Sequence, residues 1–405
     1  MGTLIFMSAV SIPFSANALT DWQAQLHKEL KENTALLQYE SPVEELSISL
    51  TELEGPQLPN SNAATVAWKR MFAANASNEK QSNRLMREAL MQGADALYIE
   101  ATSIHTDYQL LLAEIEVAYI SCLICFDTPA AHAHFMQTAA AAYTSNCILL
   151  HRAGTQKNTV SSFAAQQVGA NSSTQLAVAL FELQQLLEQN PQQKTIYFEM
   201  GVGNEYLIEI AKFRAVRHTV SELAKIHGAD LDLQLLVKTG FCNKSLQDPY
   251  TNLLRLSTEG LSAVLGGAQF LCIQPYDALA QNGATAFGQR MALNIANLIN
   301  EEAHLATLQD PLQNAYVVEQ VCMALVKKAW GLLCEFDEQA QHAEALINKQ
   351  IEASRKLRIA KFKSGENILI GINAYPNEFE SPKAEWGEIP VAYGFPYLIF
   401  EKNAN

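Results

Sequence analysis

The sequence has no lysine- or arginine-rich block, no apolar stretch of the roughly 18–20 residues a membrane helix needs, and no two Cys or His pairs at zinc spacing. Each absence excludes a class of function. A formal net charge of −14 with no basic cluster excludes nucleic acid and anionic lipid as main partners, because phosphate needs a basic face. The missing apolar stretch excludes a spanning helix. No H-E-x-x-H, G-x-S-x-G or G-K-[ST] occurs, so metalloprotease, serine-hydrolase and P-loop chemistry have no motif to stand on. The seven cysteines are odd in number and scattered, which suits reduced thiols in a cytoplasmic protein and not a disulfide framework.

The 405 residues are 49% apolar and 17% charged, enough for a sizeable core in two or three small domains or in one large barrel with extensions. Met1–Ala18 resembles a leader, with Ala16-Asn17-Ala18 as a cleavage-like triplet. It has no Lys or Arg before Lys28 and is interrupted by Ser8, Ser11 and Pro13, so a soluble start is expected, with Met7 as an alternative initiator. The sequons at Asn75, Asn171 and Asn243 carry no weight in a cytoplasmic protein. Cys122 and Cys125 form a C-x-x-C inside the apolar run Ala118–Phe126, and a buried strand is expected there in preference to a redox or metal site.

Residues 1–63 read as an N-terminal arm. An amphipathic helix over Trp22–Leu36 leads into a polar stretch broken by Gly55-Pro56 and Pro59-Asn60. From there to residue 340, short apolar runs alternate with helical periodicity. The runs are Val66–Met71, Ala94–Ile99, Ala118–Phe126, Cys147–His151, Val160–Phe163, Thr195–Met200, Leu233–Val237 and Phe270–Ile273. Helical patterns fall near 78–92, 107–116, 130–142, 173–189, 205–227, 248–265, 287–308 and 316–337. Eight strand–helix units predict an α/β fold, a (β/α)8 TIM barrel. An open doubly wound sheet would carry a Gly-rich loop after its first strand, and none follows Val66–Met71. Asp248-Pro249 and Asp310-Pro311 read as capped helix starts, and Gly266-Gly267 as a helix end. Residues 341–405 read as one more helix, Ala343–Phe362, then a strand over Ile368–Ile372 and a Pro/Gly-rich extension.

Barrel chemistry gathers at the C-terminal ends of the strands. The residues there are His151-Arg152, Ala164-Ala165-Gln166, Gly201 to Glu205, Lys238-Thr239-Gly240 and Gln274 to Asp277. Glu199, an acid in an apolar strand, should face the barrel mouth or pair with a base such as Lys238. Glu205 should sit in the first turn of its helix. His151-Arg152 could hold an anion. An independent barrel enzyme would use Glu199, Lys238 and His151 as acid–base groups, and a mouth filled by Phe163, Met200, Phe241 and Tyr276 would exclude it.

Several segments together resemble the methylmalonyl-CoA mutase family. Ile208-Glu-Ile-Ala-Lys-Phe-Arg-Ala-Val-Arg217 is similar to its E-x-A-K-x-R-A-x-R helix. Asn243-Lys-Ser-Leu-Gln-Asp-Pro-Tyr-Thr-Asn-Leu-Leu-Arg255 is similar to N-K-T-x-x-D-P-Y-x-N-x-L-R. Glu259 to Asp277, Arg290 to Asn294, Glu301-Glu302, Asp310 to Trp330 and Ser364 to Tyr375 continue the likeness in order. The resemblance implies a (β/α)8 barrel and an adenosylcobalamin-dependent isomerase. The departures imply a role within it. The family's S-G-Y-H is here Ser161-Ser162-Phe163-Ala164, so Phe163 stands for the Tyr and Ala164 for the His. An alanine neither donates a hydrogen bond nor moves a proton. Cys272 stands where a second site His is expected, no D-x-H-x-x-G occurs, and the family's R-P-W-T-I-R-Q-Y-A-G stretch, which contacts coenzyme A, is missing. These losses resemble the non-catalytic small (beta) subunit of the heterodimeric enzyme of propionate metabolism, whose arm wraps the large catalytic chain. The expectation is then no catalytic, metal or cofactor-binding residue in this chain, adenosylcobalamin held by the large subunit, and a vestigial mouth made of Ala164, Glu199, Lys238, Thr239, Cys272 and Gln274. A barrel that still holds an acyl-CoA is the other reading, disfavoured because coenzyme A phosphates need cations.

Overall fold

In this computed structural model the described residues are 19–31, 33, 38–41, 44, 46–49, 68–307, 310–376 and 385–403. The eight barrel strands are β1 Lys69–Asn75, β2 Ala96–Ala101, β3 Ser121–Phe126, β4 Cys147–His151, β5 Thr159–Ser161, β6 Thr195–Val202, β7 Asp232–Thr239 and β8 Phe270–Cys272. They run parallel in one sheet of order β4-β3-β2-β1-β8-β7-β6-β5. The helices are α1 Glu79–Met91, α2 Tyr108–Leu111, α3 Pro129–Thr138, α4 Ala140–Tyr143, α5 Phe163–Gln167, α6 Ser172–Gln189, α7 Tyr206–Ile226, α8 Thr251–Leu265, α9 Ala286–Asn297, α10 Tyr316–Glu338 and α11 Ala343–Lys363. The predicted (β/α)8 barrel is therefore the fold.

Strands covered on both faces need apolar residues at nearly every position, which is why the runs were readable. β2 (Ala-Leu-Tyr-Ile-Glu-Ala) alternates between two cores. Ala96 and Tyr98 join Met71, Leu123, Cys125, Leu150, Leu236, Phe270 and Cys272 inside the barrel. Leu97 and Ile99 face the helical layer with Cys122, Ile124 and Phe126. Helix starts follow capping chemistry: Asn78 Oδ1 accepts from the Gln81 N–H at 3.1 Å, and Asn171 Oδ1 from the Thr174 N–H at 3.0 Å. α8 ends on Gly266, and Gly267 takes φ +92°, the left-handed exit expected of this pair.

The units are not one helix per strand. β4 and β5 are joined by residues 152–158 with no helix between them. These two strands form the seam, and a single residue, Asn158, bridges it. Asn158 Oδ1 accepts from the His151 N–H (2.7 Å), its Nδ2 donates to Leu149 O (2.9 Å), and its own N–H donates to His151 O (3.1 Å). A closed barrel staggers its strands. The stagger brings the end of β4 beside the start of β5, so seven residues suffice.

Three other expectations are corrected. Asp310 takes φ +24° and binds Arg214 at 2.6 Å, and the helix starts only at Tyr316. Asp248 accepts from Thr251 Oγ1 at 2.6 Å, and α8 begins at Thr251, not at the proline. The strand predicted over Ile368–Ile372 is a turn: Gly371 sits at φ +77° and only Ile370 bridges Ala374. The arm helix spans Leu19–Leu30 and ends at Lys31, φ +54°. The breakers at 55–60 lie outside the described residues.

The base of the arm is tied to the barrel. Glu44 is fully buried, its carboxylate accepting from the backbone N–H of Ser172 and Ser173 at the start of α6. An acid there meets unpaired N–H groups and the positive end of the helix. Lys328 Nζ donates to Glu44 O at 2.6 Å, and Ser41 Oγ donates to both Glu205 oxygens at 3.2 Å. Glu205, immediately before α7, is pushed up to about 7 by burial and then by the charge of Glu44. The folded chain thus holds this proton more tightly than the unfolded one. The stabilisation is complete below about pH 4.5 and is lost as pH rises through about 7, up to about 3 kcal/mol. Urea midpoints at pH 5 and pH 8 should differ less for Glu205→Gln than for the parent; an unchanged difference would show that Glu205 is ionised throughout.

Candidate functional site

Side chains of a β-strand alternate, so the face that carries Tyr98, Cys125 and Cys272 also carries Glu100, Arg152, Glu199 and Lys238. These residues meet near the C-terminal ends of the strands. Glu199 and Lys238, only 2% and 3% exposed, form an ion pair of 2.5 Å between Oε1 and Nζ. Arg152 Nη2 lies 3.1 Å from Glu199 Oε2, and it donates to the Tyr98 hydroxyl at 2.7 Å. Arg152 Nη1 binds Asp127 at 2.9 Å. Glu100 lies 3.6 Å from Lys238 and 3.7 Å from Arg152. Lys238 Nζ stands 3.9 Å over the Tyr98 ring and 5.7 Å from the Phe163 ring.

The electrostatics follow from this packing. Burial pushes the Glu199 carboxyl up, but the Lys238 and Arg152 charges outweigh it and hold it at about 2. Burial works against the Lys238 charge, and Glu199 and Glu100 more than restore it, so the ammonium is raised. Burial and then the Glu199 charge push Tyr98 well above its ordinary value. The Cys125 and Cys272 thiols are both pushed up to about 11, chiefly by burial. The mouth therefore holds a locked ion cluster, a neutral phenol and neutral thiols. Glu199, Lys238, Tyr98, Cys125 and Cys272 are thereby held away from proton exchange near neutrality.

A second tier lies above it. Gly201 and Gly240 continue the inward faces of β6 and β7, and the Gln166 side chain fills the space they leave. A Cβ on Gly201 would come within 1.6 Å of Gln166 Oε1, and one on Gly240 within 3.0 Å. Gln167 Nε2 donates to Gln166 Oε1 at 2.7 Å, and its Oε1 accepts from the Phe241 N–H at 2.9 Å. Gln166 and Gln167 are both buried, so the barrel axis is stoppered twice.

The residues expected at the mouth divide accordingly. Glu199 both faces the interior and pairs with Lys238. Cys272 ends β8 inside the barrel. Thr239 lies on the opposite face from Lys238, its Oγ1 accepting from the Gln274 N–H at 2.8 Å. Ala164 is half-buried in α5 beside Phe163. His151 and Arg152 do not act together, because neighbours on a strand point opposite ways. His151 stacks on Phe126, 5.5 Å between centroids, and meets His132 edge-on at 4.5 Å. Burial and His132 lower it to about 4. It is therefore no member of a triad with Glu199 and Lys238. Of the four residues expected to fill the mouth, Phe163 borders the cluster, while Met200 belongs to the core between barrel and helices. The axis is filled instead by Tyr98 and Arg152, which the sequence reading missed or assigned otherwise. Their signal was the period-two alternation of β2 and β4.

Among the described residues no three His, Cys, Asp or Glu side chains converge on a point that could ligate a bare metal ion. His151 faces away from the mouth, stacked on Phe126, and Arg152 and Lys238 are engaged in the ion cluster.

The ion cluster yields a stability test. Lys238→Met leaves Glu199 buried with Arg152 as its remaining charged partner and should cost about 3–5 kcal/mol, with Glu199→Gln/Lys238→Met recovering more than half. Urea unfolding of the three chains measures this. A neutral single variant would show that Glu199 finds water.

The motifs that carried the resemblance hold the fold together. Lys212 Nζ, fully buried, binds Glu209 (2.5 Å), Gln175 Oε1 (3.0 Å) and Gly201 O (2.8 Å). Arg217 donates to Gly267 O, and Lys244 pairs with Glu259 at 2.7 Å with Asn243 beside them. Asp277 accepts from Thr285 at 2.6 Å.

Comparison with known proteins agrees with this. The profile described as "Methylmalonyl-CoA mutase" matches residues 151–392. The methylmalonyl-CoA mutase small subunit of Porphyromonas gingivalis is 31% identical over 191 residues, covering 45% of this chain and 31% of that protein. The methylmalonyl-CoA mutase of Cereibacter sphaeroides is 30% identical over 240 residues, covering 55% of this chain and 34% of that protein. The chain thus spans about a third of the length of these curated relatives. Among solved structures, a dihydropteroate synthase from Thermus thermophilus aligns at 14% identity and a TM-score of 0.32, over 56% of this chain and 93% of that one, which carries no argument. The profile match covers more than half of the 405 residues, and the chain belongs to the methylmalonyl-CoA mutase family.

Proposed function

We propose that this chain is the non-catalytic small subunit of an adenosylcobalamin-dependent methylmalonyl-CoA mutase. The complex would interconvert (R)-methylmalonyl-CoA and succinyl-CoA. The large subunit would bind the cofactor and substrate, and this chain would support it in the cytoplasm. The observation that carries the reading is the stoppered axis. Tyr98, Arg152, Glu199 and Lys238 occupy one tier and Gln166 the next, so these side chains stand on the axis that a pantetheine-like arm would need. Ala164 supports it, since the resemblance places a His at that position. The mutase small subunit among the relatives points the same way.

The arm suits a partner-wrapping role. Its base is anchored at Glu44, and the helix beyond it places half-exposed Trp22, Leu26 and Leu30 four residues apart on one face. An obligate interface of this kind buries more than about 2,000 Å² and stabilises both partners.

The test is co-expression with a large mutase chain from the same source, followed by size exclusion and an isomerisation assay. A 1:1 complex that isomerises methylmalonyl-CoA, beside a lone chain without turnover, is the expected result. Turnover by the lone chain with adenosylcobalamin, or indifference to the large chain, overturns the proposal.

A further inference from the structure

The C-x-x-C of β3 has a partner that its spacing does not suggest. Cys122 and Cys125 are three residues apart on one strand, so their side chains leave opposite faces. Cys125 joins the barrel interior and Cys122 the helical layer, and the two cannot meet. Across the ladder the register sets Cys122 directly opposite Cys147, the first residue of β4. Parallel neighbours lie about 4.8 Å apart, and disulfides join Cα atoms about 4.4–6.8 Å apart, so these strands are already at bonding range.

The two thiols differ in the way a redox pair requires. Cys122 is fully buried, and Cys147 is half-exposed beneath α4. The Cys147 sulfur beside it and burial both raise Cys122 well above its ordinary value, and Cys122 lowers Cys147 although burial opposes it. Cys147 is the more accessible of the two sulfurs, so it is the one that meets an oxidant first. Tyr143 stands beside Cys147, and its phenol is raised by burial and then by Cys147.

We propose that Cys147 and Cys122 form a peroxide-sensitive dithiol, with Cys147 as the attacking thiol and Cys122 as the resolving one. The Cys147 thiolate attacks one oxygen of hydrogen peroxide; an S–O bond forms, the O–O bond breaks, and hydroxide leaves. The Cys122 sulfur then attacks the sulfenyl sulfur of Cys147; the S–S bond forms, the S–O bond breaks, and hydroxide leaves with the Cys122 proton as water. Two thiols lose two electrons, and one peroxide, with a proton from solvent, becomes two waters. A thiol reductant reverses the oxidation, as expected of a regulatory disulfide in a reducing compartment.

The experiment uses the full chain with Cys334→Ser, which removes the exposed competing thiol and leaves six cysteines of seven. Equimolar hydrogen peroxide should consume two thiols, restored by dithiothreitol. Proteolysis before Asp127 separates Cys122 and Cys125 from Cys147, so the link appears as fragments 107–126 and 127–229 joined under non-reducing conditions. Cys147→Ser, at the half-exposed position, should abolish the link, while Cys125→Ser should leave it intact. In Cys122→Ser, the Cys147 sulfenic acid should persist and be trapped by dimedone. Oxidation of Cys147 to sulfinic acid without cross-linking, a link through Cys125, or six unreacted thiols would each overturn the proposal.

Discussion

The contact on which the rest of this barrel depends is the ion pair between Glu199 and Lys238, 2.5 Å long and almost wholly excluded from water. Two charges in a protein interior are stable only when their remaining hydrogen-bonding capacity is used. Here Arg152 occupies the second Glu199 oxygen, the Tyr98 ring lies under the Lys238 ammonium, and the Tyr98 hydroxyl accepts from Arg152. Four strands must therefore keep their register for the pair to survive. The interaction that fixes the inward faces of β2, β4, β6 and β7 also closes the axis they surround.

The family motifs belong to a different part of the molecule. Lys212, Arg217, Lys244 and Glu259 tie helices to strand ends and loops through buried polar contacts. Losing one partner of such a contact strands a buried charge, and that cost does not depend on catalysis. A chain can thus keep the motifs while its mouth holds Phe163 and Ala164. Motif density measures how much of the scaffold is shared. The chemistry has to be read from the few residues on the axis.

What the sequence disclosed follows the same division. The strands were legible because parallel strands buried on both faces need apolar runs, and β4 was placed at its observed bounds. Glu199 was legible because an acid in such a run needs a reason. Arg152 was seen but given the wrong company, because a strand end was read as a pair of neighbours instead of two opposite faces. Asn158 carried no local signal at all. Its role depends on barrel stagger, which is set by all eight strands together. The same holds for Asp310-Pro311, where a nominal cap goes instead to Arg214, a residue 96 positions away. Cys122 shows the converse: its spacing to Cys125 was legible but irrelevant, and its register against Cys147 exists only in the folded sheet.

The remaining question is why the axis is closed by charge and not by hydrocarbon. The lower interior is apolar, with Met71, Leu236 and Phe270, and polarity rises toward the mouth, where Glu100 and Asp127 are partly exposed. Ionic side chains cost less at that end because water still reaches the outer members. Counting the cluster, Glu100, Asp127 and Glu199 contribute three negative charges and Arg152 and Lys238 two positive ones, a balance of −1. An acyl-CoA brings phosphates and needs free cations. This mouth offers it none among these residues, and its net field is of the wrong sign. The same arrangement that stabilises the closed axis therefore disfavours an anionic thioester beside these five residues.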